Sequence, residues 1–280
     1  MPGNNIVKIL EQVKKTVVFL GDGGGEVKPS FYATGCLLSF QGMTHLVTAK
    51  HVVIDNATQQ ERNPAMRVFY NNINGVGCAR AIQDVRSQFG TDWVFHVNPD
   101  VDIAILPWGI DPSTDDLLTI PNEVFAKRDR LFQLYETFQL SYQPGIPDEG
   151  KMLPIIRSGT ISKFNQDGTL YVDSAAFPGN SGSPVFLTPS LVRFEDTAPF
   201  GVDPMAGNFV GIVGEYIPYQ DLAVSAQTGR PRVVFEENTG LSKVWPASLI
   251  EEVSQTPLAL AQIAKLKEWS KNNPHTSAKK

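Results

Sequence analysis

FPGNSGSPV, residues 177–185, sets two glycines and two serines around Asn180 and then turns apolar. With average residue usage, G-x-S-G-x-P would arise by chance in roughly one chain in two hundred of this length. Gly179 and Gly182 permit a tight turn at positive φ and let a ligand approach the backbone, while amides pointing inward can hold an oxyanion. Ser181 is therefore a candidate nucleophile. Read alone, the same stretch also serves as a polar hairpin between two strands.

A nucleophilic serine needs a base and a group that orients the base. The chain has four histidines, His45, His51, His96 and His275. His275 stands in a polar tail, NNPHTSAKK, that is expected to fray. His51 closes the mostly apolar run HLVTAKHVV, where a strand end presents a side chain to a cleft. Asp102, in NPDVDIAILPW, directly precedes four apolar residues, and a carboxylate there is costly unless hydrogen-bonded or paired. Asp100 is expected on the same face, with Asp92 nearby. The order His, Asp, Ser excludes an α/β-hydrolase, which needs Ser, Asp, His and a G-x-S-x-G elbow.

GNSGSPV, LVTAKHVV and DIAIL together resemble the chymotrypsin-like serine peptidases in their nucleophile, histidine and aspartate segments. The separations of 51 and 79 residues suit that family. TGCLL, RSGTIS and FVGIVGEY extend the resemblance over about residues 30–250, with most likeness to the bacterial high-temperature-requirement and glutamyl-endopeptidase-like branches. It implies an all-β fold of two antiparallel β-barrels, over 16–125 and 126–247, in a single peptidase domain. It further implies Ser181 as nucleophile, His51 as general base, Asp102 as its orienting carboxylate, and the N–H groups of Gly179 and Ser181 as oxyanion hole. Ala175 would form the base of the specificity pocket, with Ala176 and Phe177 nearby and Gly214, Glu215 and Tyr216 along its wall. No charge sits at that base, and Tyr216 stands where many relatives have Gly, so small or modest apolar side chains are expected before the cut.

Departures from the family carry information. Digestive members have Asp where Asn180 stands, and that Asp pairs with a newly cut N-terminus; a neutral Asn180 predicts activity without trimming. Val52 replaces the cysteine that follows the histidine in disulfide-bearing relatives, which fits a reducing compartment. Ser183 replaces a glycine, and Lys50 replaces the commoner Ala. About thirty residues follow the last matched strand, too few for a PDZ domain.

The remaining pattern agrees with an all-β reading. TVVFLG, FYATGCLLSF, MRVFYN, TLYVDSA, SPVFLT and PRVVFE are β-branched or aromatic runs between Gly, Pro, Asn and Asp clusters, with no helical pattern among them. A short helix is expected around Ile6, Val7, Leu10 and Val13, and another over 248–272, where Thr256-Pro257 opens a stripe of Leu260, Ile263, Leu266 and Trp269. The proline-bearing stretch 112–150 is the expected boundary between the barrels, and it and 217–231 are candidates for regulation. At 280 residues, 42% hydrophobic and 19% charged, the chain is of ordinary globular composition. A net charge of −5 argues against nucleic acid. Cys36 and Cys78 are read as free thiols. No signal or membrane span is apparent, so a cytoplasmic protein is expected, without metal or cofactor, acting on polypeptide. A catalytically silent peptide-binding homologue and a protease effector activated by a regulatory protein partner are the competing readings.

Overall fold

The structure, a computed structural model, describes residues 3–24, 27–146, 150–189 and 207–272. His275, Pro147 and the tail from 273 lie outside them. The first half holds α1 (Gly3–Lys14), β1 (Val17–Gly24), β2 (Val27–Phe40), β3 (Met43–Thr48), α2 (Lys50–Val53), β4 (Arg67–Asn71), β5 (Gly77–Ala81), α3 (Ile82–Phe89), β6 (Val94–Phe95), β7 (Ala104–Pro107) and β8 (Ile120–Pro121). The second holds β9 (Glu136–Ser141), β10 (Ile155–Phe164), β11 (Leu170–Asp173), β12 (Pro184–Leu187), β13 (Phe209–Val224), β14 (Pro231–Pro246), α4 (Ala247–Ser254) and α5 (Pro257–Asn272). The protein is thus mostly β, with helices towards both termini. Where two barrels are expected there are two sheets. The first runs β5-β4-β1-β2-β3-β7-β6 as an open path, with β8 beside β2; the second closes as β10-β11-β14-β13-β12-β9.

Strand alternation explains why the runs look uniformly apolar rather than alternating. In β1, Val17 and Phe19 face the space between the sheets while Val18 and Leu20 face the interior of the first sheet. In β12, Phe186 faces the shared core and Val185 and Leu187 fill the barrel. Both faces are buried, so both must be apolar. The shared core, with Leu38, Phe40, Phe138, Phe209 and Trp245, fixes the two sheets against each other. Each side chain fully buried there is worth about 1.5–3 kcal/mol.

Several expectations need correction. Residues 82–89 form α3, whose Ile82, Val85 and Phe89 are buried and whose end is turned by Gly90 at φ 61°. Eight residues give too little periodicity to stand out between strands, and the helix is held by packing, including Phe89 edge-on to Trp269 at 5.0 Å. The expected helix over 248–272 is two helices. Thr256 caps the second by accepting the Ala259 N–H on Oγ1, and Pro257 takes its first position. In the stripe on α5, Ile263 and Leu266 are buried, but Leu260 is exposed and Ala259 takes its place. The stretch 112–150 is not all loop: β8 and β9 lie in it. Residues 217–231 mostly belong to a long β13–β14 hairpin. Lys50, unexplained by sequence, donates from Nζ to the Pro99 carbonyl, tying the His51 segment to the one before Asp102.

His45 on β3 is buried, with Nδ1 3.0 Å from the Met43 carbonyl and its ring edge-on to Phe40. Burial drives its pKa down from 6.5 to about 4. Above pH 6.5 the ring is neutral in both folded and unfolded chains; between pH 6.5 and 4 only the unfolded chain binds the proton, so stability falls as pH falls. The loss is expected to reach about 3 kcal/mol. Denaturant titrations across this range should show a shallower slope for His45→Leu than for wild type, and equal slopes would refute the assignment.

Candidate active site

The first sheet supplies two of the three candidate residues. β3 ends at Thr48, and Ala49 is extended, so the chain enters the single helical turn of α2. His51 therefore sits on a helical turn, not on the strand end expected for it. Val52 and Val53 are buried beside it and anchor the turn. Asp102 lies between buried Val101 and Ile103, just before β7. Its Oδ1 accepts the His51 backbone N–H at 2.8 Å, and its Oδ2 is 2.7 Å from His51 Nδ1. Both carboxylate oxygens are thus engaged by one residue, which fixes the position and the ring of His51 together. Asp100 is exposed, and Asp92 is bound to Arg86 at 3.0 Å, so neither reaches this cluster. His96 instead meets Glu252 at 3.1 Å.

The second sheet brings Ser181, whose Oγ is 3.0 Å from His51 Nε2. Its turn is held from several sides. Gly179 adopts φ 99° and Gly182 φ 86°. A Cβ on Gly182 would collide with the Thr34 carbonyl and the Thr48 hydroxyl, so the loop packs directly on the first sheet. Thr34 N–H donates to the Ser181 carbonyl at 3.0 Å, and Thr34 Oγ1 donates to the Gly179 carbonyl at 2.7 Å. Asn180 is fully buried: Oδ1 accepts the Phe177 N–H at 2.8 Å and Nδ2 donates to the Tyr142 carbonyl at 2.6 Å. These bonds orient the backbone from Phe177 to Ser181 without using the N–H groups of Gly179 or Ser181. The arrangement can carry a proton from Ser181 to His51 while Asp102 compensates the imidazolium.

Residues 33–190 match the model of the trypsin-like peptidase domain, over more than half of the chain. The chain belongs to that family. It is accordingly a hydrolase of the serine peptidase class. Among solved structures, a serine endoprotease from Yersinia pestis is 15% identical with a TM-score of 0.49, over 91% of this chain and 66% of that one. The structure of Deg5 is 16% identical with a TM-score of 0.48, over 76% of this chain and 86% of that one. No curated protein matches the sequence.

Around the serine of this trypsin-like peptidase, the pocket candidates occupy varied settings. Ala176 belongs to the barrel core, and its carbonyl accepts Asn238 Nδ2 at 2.6 Å. The Ala175 carbonyl lies 3.4 Å from Gln139 Nε2. Phe177 is exposed at its edge, with the Arg157 guanidinium 4.9 Å above the ring. Tyr216 is half-buried and its hydroxyl donates to Glu236, while Glu215 is exposed. Gly214 is buried beside Asp102. A Cβ there would stand 2.6 Å from Trp245 Nε1 and 3.5 Å from Asp102 Oδ2, so the position beside the indole has room only for glycine.

Sequence reasoning missed the opposite wall. A cavity of about 750 Å³ opens at His51 and Ser181, and Asp22, Tyr32, Arg62 and Asn63 line it. Asn63 Nδ2 donates to Tyr32 Oη at 3.0 Å and also to Asp22. Burial raises the Tyr32 hydroxyl to about 12, keeping it a neutral donor. No motif marks these residues, because they converge from β1, β2 and the loop before β4. Both cysteines are free thiols; Cys36 is fully buried, and desolvation pushes its pKa far up. Among the described residues no cluster of three or more His, Cys, Asp or Glu could hold a metal ion, and no helix is long and apolar enough to cross a membrane.

Proposed function

We propose that the protein is a serine endopeptidase that cleaves polypeptides through an acyl-enzyme, with Ser181 as nucleophile, His51 as general base and then acid, and Asp102 as the carboxylate that orients it. The observation that carries this reading is the continuous relay from Ser181 Oγ through both ring nitrogens of His51 to Asp102, at 3.0 and 2.7 Å. His51 would take the serine proton as Oγ attacks the scissile carbonyl, and later deliver it to the leaving amine. The N–H groups of Gly179 and Ser181 would stabilise the tetrahedral oxyanion, a donor being typically worth about 3 kcal/mol of barrier.

Asn180 supports activity in the uncut chain. Its amide makes two of the bonds that hold the turn, neither of which needs a charge, so no new ammonium terminus is required. The test is a fluorophosphonate probe on the intact, freshly purified chain, with the modified residue mapped by mass spectrometry. A single adduct on Ser181 is expected. Absence of labelling would favour a silent binding homologue, and labelling only after N-terminal processing or addition of a partner would remove the preformed turn from the proposal.

For the specificity pocket we retain Ala175, Ala176, Phe177, Gly214 and Tyr216. Tyr216, held by Glu236, narrows the approach beside Gly214, and no charged side chain stands at Ala175. A peptide library is expected to show cleavage after small or modest apolar residues; dominant cleavage after Arg, Lys or Glu would refute this.

A further inference from the structure

β13 and β14 pair from Gly211↔Pro246 out to Val224↔Pro231, far beyond the barrel. β12 leaves β13 at Ile212, and β11 pairs with β14 only over Leu241–Val244. The hairpin therefore continues as a two-stranded ribbon, and among the described residues no third strand pairs with either edge. Every side chain from Pro231 to Thr239 is exposed. Val234 is 57% and Phe235 56% accessible, and Tyr219, Leu222 and Val233 are similarly open. A ribbon of two strands wet on both faces is marginal in water, and an apolar edge with unpaired amides is a template for another strand.

We propose that the β14 segment Arg232–Glu236 is a self-association edge, on which a second copy of the chain pairs antiparallel about a twofold axis at Val234. The argument is the pattern RVVFE. A twofold axis perpendicular to the ribbon keeps each face on its own side, so only registers centred on a residue are allowed. Centring on Val234 places Arg232 opposite the partner's Glu236 at both ends, with Val234 opposite Val234 between them. On the other face the same register sets Val233 opposite Phe235, twice. Centring on Val233 opposes Arg232 to Val234, and centring on Phe235 opposes Val234 to Glu236. One register alone satisfies both faces.

The charges cannot satisfy each other within one strand. Arg232 and Glu236 lie four residues apart, about 13 Å along an extended chain. Glu236 accepts from Tyr216 and Gln220 on its own ribbon, which hold it in place and leave it ionised. Its pKa is lowered, chiefly by the Tyr216 bond. The free edge of β13 offers no comparable complement: centring on Asp221 opposes two carboxylates. Pro231, lacking an N–H, ends the ladder just beyond Arg232. The product is a four-stranded sheet, β13-β14 continued into the same pair of the partner.

Analytical ultracentrifugation of the full chain at micromolar concentration is expected to show a dimer. Arg232→Glu sets like charges opposite each other at both ends and should weaken association about tenfold or more. The exchange Arg232→Glu with Glu236→Arg should restore it, and Val234→Lys, which brings two ammonium groups together on the axis, should abolish it. All three positions, 232, 234 and 236, are on the surface, and thermal melts should confirm that each variant folds as wild type does. A monomeric wild type, an unchanged dimer in Arg232→Glu or Val234→Lys, or a charge exchange that fails to restore pairing would each overturn the proposal.

Discussion

Replacing Ser181 by alanine is expected to lower kcat about 10⁶-fold, His51→Ala to do nearly the same, and the double variant to be no worse than either. The reason is geometric. Ser181 Oγ and His51 Nε2 share one hydrogen bond of 3.0 Å, and neither has chemistry to perform without the other. What survives, about 10³–10⁴ over the uncatalysed reaction, comes from the oxyanion donors and from binding. Folding should be unaffected, because the turn is fixed by backbone bonds to Thr34 and Val213 and by the Asn180 side chain, none of which uses the hydroxyl. Single-turnover rates on a peptide ester, with melting curves as control, measure this. Independent losses that multiply in the double variant would show that the two residues do not act as a unit.

Asp102→Asn is expected to cost about 10⁴-fold in kcat at neutral pH with little change in stability. Oδ1 now accepts the His51 backbone N–H, and Oδ2 faces Nδ1 at 2.7 Å. An asparagine that keeps its carbonyl on the backbone N–H must turn its NH₂ toward Nδ1. The ring then carries its proton on Nε2, where it cannot accept the one from Ser181. The opposite orientation loses the bond to the His51 main chain. Rates of Asp102→Asn within tenfold of wild type would remove Asp102 from the mechanism, whereas proper folding with a lost rate supports the tautomer argument.

The sequence carries those features that are written along a single element. GNSGSPV announces its turn because φ of 99° and 86° needs glycine, and DIAIL announces a buried strand because both of its faces are covered. Each segment alone leaves alternatives open; it is their joint resemblance to the chymotrypsin-like peptidases that names His51, Asp102 and Ser181, and the structure brings the three into one cluster. The supports around them left no such trace. Thr34 reaches Gly179 across 145 residues and meets the Tyr142 N–H across 108, and a threonine in a strand looks the same whether or not its hydroxyl crosses between sheets. The break between α4 and α5 is half legible, since Thr256-Pro257 marks a helix start while nothing in the sequence before it marks the end of α4. The ribbon was hidden for another reason. Gln220 and Asp221 interrupt the apolar pattern of β13 because both faces there meet water, so periodicity had no core to report.

The helices after β14 do more than cover a surface. α5 returns to the first sheet, where Leu266 enters its core, Trp269 packs edge-on with Phe89, and Gln262 accepts the Asp92 N–H at 3.2 Å. α4 adds Ile250 and Val253 to the core between the sheets. During synthesis these residues leave the ribosome last among the elements described, roughly 150 residues behind the sheet they complete. At 5–20 residues per second that is a delay of roughly 8–30 seconds. For that interval His51 and Asp102 stand on a sheet still open on one side, and for about the first half of it Ser181 has yet to emerge. Translation itself thus sets the order in which the two sheets and the helices that join them can be put together.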